Sequence, residues 1–134
     1  MSRFVLDASV AEAWLLDENE PRANAMLPRL ETDGALVPLH WHLEVRSTLL
    51  GAERRRRIRA DEVDERLRSL GTLDVQTDAQ PDLDAAFALA RSYGLSIYDA
   101  VYLELAQRSD APLATLDHAL LRAAGAAGLA LIEP

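Results

Sequence analysis

The 134-residue sequence contains no cysteine, no lysine and no long apolar run. Without cysteine there can be neither a disulfide framework nor a thiolate metal site, which suits a reducing compartment such as the cytoplasm. Asp7 interrupts the first apolar stretch, and no other stretch approaches the ~20 residues of a membrane span. We therefore expect a soluble, cytoplasmic protein that has no signal peptide and no membrane-spanning segment.

All 14 basic residues are arginines, and the absence of lysine excludes two groups of enzymes. Receiver domains and haloacid-dehalogenase-like phosphatases are also small α/β proteins with acidic pockets, but their usual sites include a lysine that contacts the phosphoryl group. This chain has no lysine to place there. An acidic pocket in it is therefore not expected to be of either kind.

The formal net charge is −8, with 22 acidic residues against 14 arginines. Such a balance argues against binding a nucleic acid through a broad basic surface. The arginines are unevenly spread, since residues 54–57 and Arg59 form one cationic run. The run suits the solvated C-terminal end of a helix, where cations are favoured, and we prefer this interpretation. The alternative is a contact with a phosphate backbone or with an acidic partner.

Short apolar stretches alternate with stretches of helical periodicity, and 49% of the residues are hydrophobic. The predicted strands are residues 3–7, 35–37, 73–75, 112–115 and 129–132. The predicted helices are residues 8–16, 23–30, 40–57, 63–70, 83–94, 95–106 and a short stretch after 117. This alternation implies βαβ crossovers, and therefore an α/β fold with a central, mostly parallel sheet of about five short strands and helices on both faces. We expect a single domain over residues 1–134.

Two of the helices carry specific expectations. Leu83, Phe87 and Ala90 recur at helical spacing in one of them, and Gly94 is expected to be its C-cap. In the next helix Tyr98 belongs to an apolar face that is expected to pack against the core.

Four carboxylates stand at comparable places in this pattern. Asp7 follows the first strand, and Asp117 follows the strand that contains Thr115. Asp99 lies in the first turn of its helix, and Glu44 lies on or beside the apolar stripe of the long helix. In a parallel sheet, ligands gather at the carboxyl ends of the strands beside the topological switch point. One shared role at this edge of the sheet is a simpler explanation than four separate ones.

Each acid also has an ordinary structural explanation. Ser96 and Asp99 resemble a capping box, and so do Ser9 and Glu12 at the start of the first helix. Asp117 could be an N-cap, the acid after the first strand could be a turn residue, and the glutamate of the long helix could reach solvent. We expect Ser9 chiefly to cap its helix, although it could also bond a water on a metal ion.

Crowded carboxylates raise one another's pKa unless a cation neutralises them. Oxygen-only ligands point to Mg²⁺ or Mn²⁺, whereas His40 and His42, two residues apart on a helix, make a poor zinc pair. Such a metal lowers the pKa of a bound water and stabilises the charge that builds on phosphate oxygens. It would also offset part of the acidic excess where a phosphate approaches. Hydrolysis of a phosphodiester is therefore the reaction that suits these residues.

Residues 5–9, 44–50, 95–102 and 114–117 together resemble PIN-domain ribonucleases of the VapC toxin type. The resemblance spans nearly the whole chain, and the segment around Asp99 is its most specific part. Many relatives have an asparagine three residues after the glutamate of the long helix, and this chain has Ser47 there. Any contact that the amide makes in those relatives is therefore not expected here.

The resemblance implies a PIN-like three-layer sandwich and an Mg²⁺- or Mn²⁺-dependent endoribonuclease that cleaves a cellular RNA as the toxin of a toxin–antitoxin pair. It also implies a cognate VapB-type antitoxin, a homodimeric toxin and contact with DNA only through the antitoxin. Carried over position by position, the catalytic and metal-binding acids are Asp7, Glu44, Asp99 and Asp117. Ser9 and Thr115 would then supply hydroxyl groups that support these acids.

Two other functions stay open on the sequence alone. One is a PIN nuclease for RNA maturation that has no toxin role, and the other is a catalytically silent PIN-like module that only binds a partner. A compact single domain with no appended RNA-binding module favours the toxin. The presence of all four acids argues against the silent module.

Overall fold

The computed structural model describes residues 3–132, and this part of the chain contains four strands and eight helices. The strands are β1 (Phe4–Leu6), β2 (Ala35–Pro38), β3 (Val75–Asp78) and β4 (Leu113–Ala114). The helices are α1 (Ala8–Leu15), α2 (Pro21–Asn24), α3 (Leu27–Asp33), α4 (Leu39–Arg54), α5 (Ala60–Leu70), α6 (Leu83–Tyr93), α7 (Ile97–Ser109) and α8 (His118–Ala126). The strands pair in parallel in the order β3-β2-β1-β4. The topological switch point therefore lies between β1 and β4.

The core is built around the central strand β1, whose three side chains have no solvent exposure. Helix α7 packs across β1, β2 and β4, and it buries Leu103 and Leu105 there. Helix α1 packs on α4, whose buried stripe includes Trp41 and Val45. Burial of each such large apolar side chain stabilises the fold by about 1.5–3 kcal/mol. The predicted α/β fold with a parallel sheet flanked by helices is confirmed.

Two of the five predicted strands differ from the structure. The stretch 129–132 makes only an isolated parallel bridge between Leu131 and Leu113, because its partner β4 is two residues long. The third strand begins at Val75 instead of residue 73, because the N–H of Leu73 donates to the carbonyl of Leu70 in the turn that ends α5. The sheet of the described residues therefore has four strands instead of about five.

The single helix predicted over residues 23–30 is wrong, since the structure divides this stretch into α2 and α3. Pro28 lies in the first turn of α3, where its missing N–H leaves no intrahelical hydrogen bond unmade. Met26 precedes α3 as its N-cap. A proline inside an apolar helical pattern marks a new helix start here.

The helix predicted over Leu83, Phe87 and Ala90 is present as α6, and part of its apolar surface faces outward. Leu83 and Phe87 are 62% and 52% exposed, whereas Ala86 is fully buried. Tyr98, which was expected to pack against the core, is likewise exposed at the start of α7. Gly94 does end α6 in the left-handed conformation, with φ of 66°, as its C-cap role predicts.

The arginine run lies at the far end of α4. The helix ends at Arg54 instead of continuing towards residue 57, and the side chains of residues 54–57 are all exposed. This is the solvated helix end that we preferred from the sequence. Within residues 3–132, the structure contains no helix with the length and apolar character that crossing a membrane requires.

Candidate active site

Asp7 lies directly after β1, beside the topological switch point, and is the N-cap residue of α1. Its side chain is 5% exposed, and its Oδ2 accepts hydrogen bonds from Ser9 Oγ at 2.6 Å and from Thr115 Oγ1 at 2.7 Å. Burial raises the pKa of Asp7, while the two hydroxyl hydrogen bonds oppose that rise and the charge of Asp117 adds to it. The described donors to this buried carboxylate are two hydroxyl groups and the backbone N–H of Ala8, all of them neutral.

The two hydroxyls that support Asp7 also bind the backbone that follows β4. Ser9 Oγ accepts from the N–H of Leu116 at 3.0 Å, and Thr115 Oγ1 accepts from the N–H of Asp117 at 3.0 Å. These bonds connect the start of α1 to the segment that leads into α8. The capping box predicted for Ser9 and Glu12 is wrong, because Ser9 lies inside α1 and its hydroxyl binds Asp7 instead of capping the helix.

Asp117 and Asp99 both lie where a helix begins. Asp117 is the N-cap of α8, and its Oδ1 accepts from the N–H of Leu120 at 3.1 Å. Asp99 lies in the first turn of α7, and its N–H donates to Ser96 Oγ at 3.1 Å, which is one half of the predicted capping box. Burial, together with the charges of Asp117, Asp7 and Glu44, raises the pKa of Asp99 to about 6.

Glu44 projects from α4 and is half-buried. Its Oε1 accepts a hydrogen bond of 2.8 Å from the hydroxyl of Tyr102 and lies 3.2 Å from His40 Nε2. Burial raises the pKa of Glu44, the Tyr102 hydrogen bond lowers it, and the charge of Asp7 raises it. The chain therefore brings Glu44 within electrostatic reach of the acids at the switch point.

The charges of the four predicted acids act on one another's neighbourhood, because the pKa of Asp7, of Glu44 and of Asp99 is raised in part by the charge of another of the four. No arginine in the described part of the chain forms an ion pair with any of them, and the nine arginine ion pairs of that part lie elsewhere. Between residues 3 and 132, no three histidine, aspartate or glutamate side chains are arranged as a preformed metal site. As a donor set, unneutralised carboxylate oxygens fit a hard divalent cation.

Sequence reasoning missed Glu12, which faces α4 from α1. Its Oε1 accepts from Thr48 Oγ1 at 2.7 Å. Burial, together with the charges of Asp7 and Glu44, raises the pKa of Glu12 to about 6. The capping-box pattern assigns this residue to the helix start, and its position five residues after Asp7 was the available signal for a place near the acids.

Sequence reasoning also missed Tyr102 and His40 as neighbours of the acids. Tyr102 lies three residues after Asp99, on the same side of α7, and this spacing could have indicated it. His40 packs against two tyrosine rings, and burial lowers the pKa of its imidazole. Its contact with α7 is 58 residues away in sequence, so no local pattern could have shown it.

Comparison with known proteins identifies a family and relatives that this chain resembles. The family described as PIN domain matches residues 4–126. Ribonuclease VapC3 of Pyrobaculum aerophilum is 32% identical over an alignment of 123 residues, and the match covers 88% of this chain and 92% of that protein. Residues 4–126, which match the family, contain all four strands and the four acids of this chain.

Solved structures show the same fold. The crystal structure of PAE2754 from Pyrobaculum aerophilum has a TM-score of 0.69 and 25% identity, and the match covers 91% of this chain and 79% of that one. VapC20 of Mycobacterium tuberculosis, described as a sarcin-ricin loop cleaving toxin, has a TM-score of 0.63 and 14% identity over 98% and 99% of the two chains. A toxin–antitoxin complex from Klebsiella pneumoniae has a TM-score of 0.60 and 20% identity over 85% and 86%.

Proposed function

This chain belongs to the PIN domain family, in its VapC ribonuclease branch, and on that premise we propose that it is a metal-dependent endoribonuclease that acts as the toxin of a toxin–antitoxin pair. The observation that carries the proposal is a cluster of carboxylates at the switch point of a parallel sheet, with no arginine to neutralise it. Hydrolysis of a phosphodiester bond in a cellular RNA is the reaction that such a cluster suits. A role in RNA maturation, or binding without catalysis, is less well supported, because the 32% identical relative is a VapC ribonuclease.

In this proposal Asp7, Glu44, Asp99 and Asp117 hold Mg²⁺ or Mn²⁺. Such an ion, when bound, lowers the pKa of a coordinated water and stabilises negative charge on phosphate oxygens. The chain's own contribution is to hold the carboxylates in place. Ser9 and Thr115 fix one oxygen of Asp7, which leaves the other oxygen without a hydroxyl partner among the described contacts.

The acidic charge of the protein bears on how an RNA could reach this site. Without a cation, the carboxylates at the switch point and the phosphate would repel each other. A divalent cation reverses the sign of that interaction locally, so a net charge of −8 does not exclude an RNA substrate. We propose on the same grounds that the metal is needed for binding the RNA as well as for cleaving it.

The partners follow from the same proposal. A small antitoxin is supported by the toxin–antitoxin complex of the same fold, and we expect contact with DNA only through that antitoxin. We expect both proteins in the cytoplasm.

A homodimer is supported by an apolar groove of about 340 Å³ beside the site, between the start of α4, the start of α6 and the first turns of α7. The exposed residues that border it are Leu39, Leu43, Leu83, Ile97 and Tyr98.

The nuclease is tested by RNA cleavage with purified protein. We expect the parent protein to cleave RNA. Cleavage should stop when divalent metal is chelated, and it should return when Mg²⁺ or Mn²⁺ is added back. Asp99→Asn should lose cleavage, because the amide keeps the volume but removes a charged ligand. Asp110→Asn is the matched control, since Asp110 is exposed at the other end of the same helix. Cleavage by Asp99→Asn at the parental rate, or in excess chelator, would contradict the proposal.

The homodimer is tested by sedimentation. Leu83→Glu should convert a dimer to a monomer, because it buries a charge in the apolar contact. Gln107→Glu adds the same charge on an exposed part of α7 away from the groove and should leave the dimer intact. A parent that sediments as a monomer at micromolar concentration would rule the homodimer out.

A further inference from the structure

His40 lies where the first turn of α4 meets the first turn of α7. Its Nε2 is 3.1 Å from the backbone carbonyl oxygen of Tyr98 and 3.2 Å from Oε1 of Glu44, one turn further along α4. The Tyr98 carbonyl belongs to the peptide group that leads into Asp99. One ring nitrogen therefore contacts both the side chain of one candidate ligand and the peptide bond of another.

Both neighbours of this nitrogen are hydrogen-bond acceptors. A carbonyl oxygen and a carboxylate oxygen would repel each other, and a lone pair on Nε2 would repel both. The arrangement is favourable only when Nε2 carries the proton, which it donates to Tyr98 while it remains in electrostatic contact with Glu44. The geometry thus assigns the Nε2-protonated tautomer to His40.

The ring of His40 is held in this orientation by packing. Its centroid lies 5.0 Å from the ring of Tyr102 in an edge-on arrangement and 5.6 Å from the ring of Tyr98. Tyr102 is fully buried, and its hydroxyl donates to the same Oε1 of Glu44 at 2.8 Å. Tyr102 therefore donates to the same Glu44 oxygen that His40 Nε2 approaches at 3.2 Å, which leaves Oε2 of Glu44 as the oxygen without a described partner.

We infer that His40 is a positioning residue that fixes Glu44 relative to Asp99, through its hydrogen bond to the Tyr98 carbonyl and its electrostatic contact with Glu44. This inference rests on the proposed function, because it assigns His40 a role in presenting two metal ligands. Without the Nε2–H, the Glu44 carboxylate and the Tyr98 carbonyl face each other with no proton between them. The two helix starts should then separate, and the ligands should lose their mutual alignment.

The test compares Mn²⁺ binding by metal-free protein variants, measured by titration calorimetry. His40→Leu removes the donor and should weaken Mn²⁺ binding about 10-fold, the size of effect expected when an orienting partner of a metal ligand is lost. His40→Gln places an amide N–H near the position of Nε2 and should bind Mn²⁺ within about 3-fold of the parent. A purely structural role would lower the urea midpoint in both variants without this difference in affinity.

His42→Leu is the matched control. His42 also lies in the first turn of α4, but its Nε2 contacts Thr77 Oγ1 at 2.8 Å, on β3, and not one of the acids. We expect parental Mn²⁺ affinity for this variant. If His40→Leu does not fold, His40→Asn replaces it, because its shorter amide cannot reach the Nε2 position. Parental Mn²⁺ affinity in folded His40→Leu or His40→Asn would overturn the inference.

A second measurement does not depend on metal. In ¹⁵N NMR spectra at pH 8, where a histidine of ordinary pKa is neutral, His40 should show the proton on Nε2. A proton on Nδ1 would overturn the inference whatever the calorimetry shows. A parent that binds no Mn²⁺ contradicts the proposed function, and the tautomer then decides the inference alone. The two failures are therefore distinguishable.

Discussion

Two buried carboxylates, Asp7 and Glu104, have opposite kinds of side-chain partner: Glu104 is paired with an arginine, and Asp7 is bound by neutral hydroxyls. Glu104 is 3% exposed, and it accepts from the Nε and one terminal nitrogen of Arg108 at 2.7 and 3.1 Å and from the N–H of Asp82 at 2.9 Å. Arg108 also pairs with Asp78 at 2.7 Å. Asp7 is 5% exposed, and its described side-chain partners are two neutral hydroxyls.

We propose that the difference separates a structural acid from a functional one. A carboxylate costs several kcal/mol to bury unless a cation compensates it, and for Glu104 the chain supplies that cation from the next turn of the same helix. For Asp7 the described part of the chain supplies none, and in our proposal a divalent metal ion compensates its charge. The network around Glu104 connects α7 to the start of α6 and to β3.

The largest expected effect is that of Asp7→Asn on RNA cleavage. Loss of a group that only orients a metal ligand already costs about 10–100-fold, so loss of the ligand itself should cost more than about 100-fold. The unfolding free energy of metal-free protein should stay the same or rise, because burial opposes the charged form of Asp7. Cleavage assays and urea unfolding measure the two. If Asp7→Asn is destabilised but cleaves RNA at the parental rate, Asp7 is the structural acid and not the functional one.

Glu104→Gln should have the opposite profile. It leaves Arg108 facing an amide, and we expect the unfolding free energy to fall by about 2 kcal/mol, less than for a fully buried pair because Arg108 is partly exposed and keeps Asp78. Cleavage per folded molecule should not change. Glu65→Gln is the control for urea unfolding, since Glu65 is exposed on α5. An unchanged unfolding free energy in Glu104→Gln would show that the pair between Glu104 and Arg108 does not stabilise the fold.

Uncompensated acids should also make the metal-free protein less stable as pH rises. The folded-state pKa of Asp99 and of Glu12 is about 6, whereas an unfolded chain has values near 4. Between these values the folded state binds more protons, so their contribution to the unfolding free energy is lost as pH rises through about 6. After allowance for solvent screening we expect a loss of about 1 kcal/mol between pH 4 and 7.

Urea unfolding of Glu12→Gln at several pH values checks this sign. The variant should show a weaker fall in unfolding free energy over the same range than the parent, because it has no proton to lose at that position. A fall of equal size in both proteins would show that Glu12 is not one of the groups responsible. Acids that do not interact with Glu12 titrate equally in both proteins, so the difference between them reports Glu12 and the acids coupled to it.

The smallest effect is expected for Asp78→Asn. Asp78 pairs with Arg108 near the surface, while Arg108 keeps its bonds to Glu104. We expect the unfolding free energy to fall by less than about 1 kcal/mol, as for most partly exposed ion pairs. A loss as large as that of Glu104→Gln would mean that the outer pair, and not the buried one, compensates the charge.

Much of the fold and the positions of the four acids could be predicted from local patterns. A short apolar strand followed by an acid, as at Asp7, or a serine three residues before an acid, as at Ser96, is visible in a few consecutive residues. These patterns are local because strand ends and helix starts have their own chemistry. The order of the strands then brings the acids together.

Interactions between distant segments could not be predicted. The Arg108 partner of Glu104 lies four residues away and could have been noticed, but its other donor, the N–H of Asp82, depends on how α6 packs on α7. The periodicity of Leu83 and Phe87 shows that they share a face, but not whether that face meets the core of the same chain. An apolar stripe that faces outward has the same sequence pattern as one that faces inward.

The most direct test of the account is urea unfolding at pH 7.5 with and without Mn²⁺, in the parent, Asp7→Asn and Glu104→Gln. At 100 times the dissociation constant, Mn²⁺ should raise the unfolding free energy of the parent by about 2.7 kcal/mol. Glu104→Gln should gain the same amount from a lower starting value, and Asp7→Asn should gain much less. An equal gain in unfolding free energy in Asp7→Asn, or no gain in the parent, would contradict the claim that these acids bind a divalent cation.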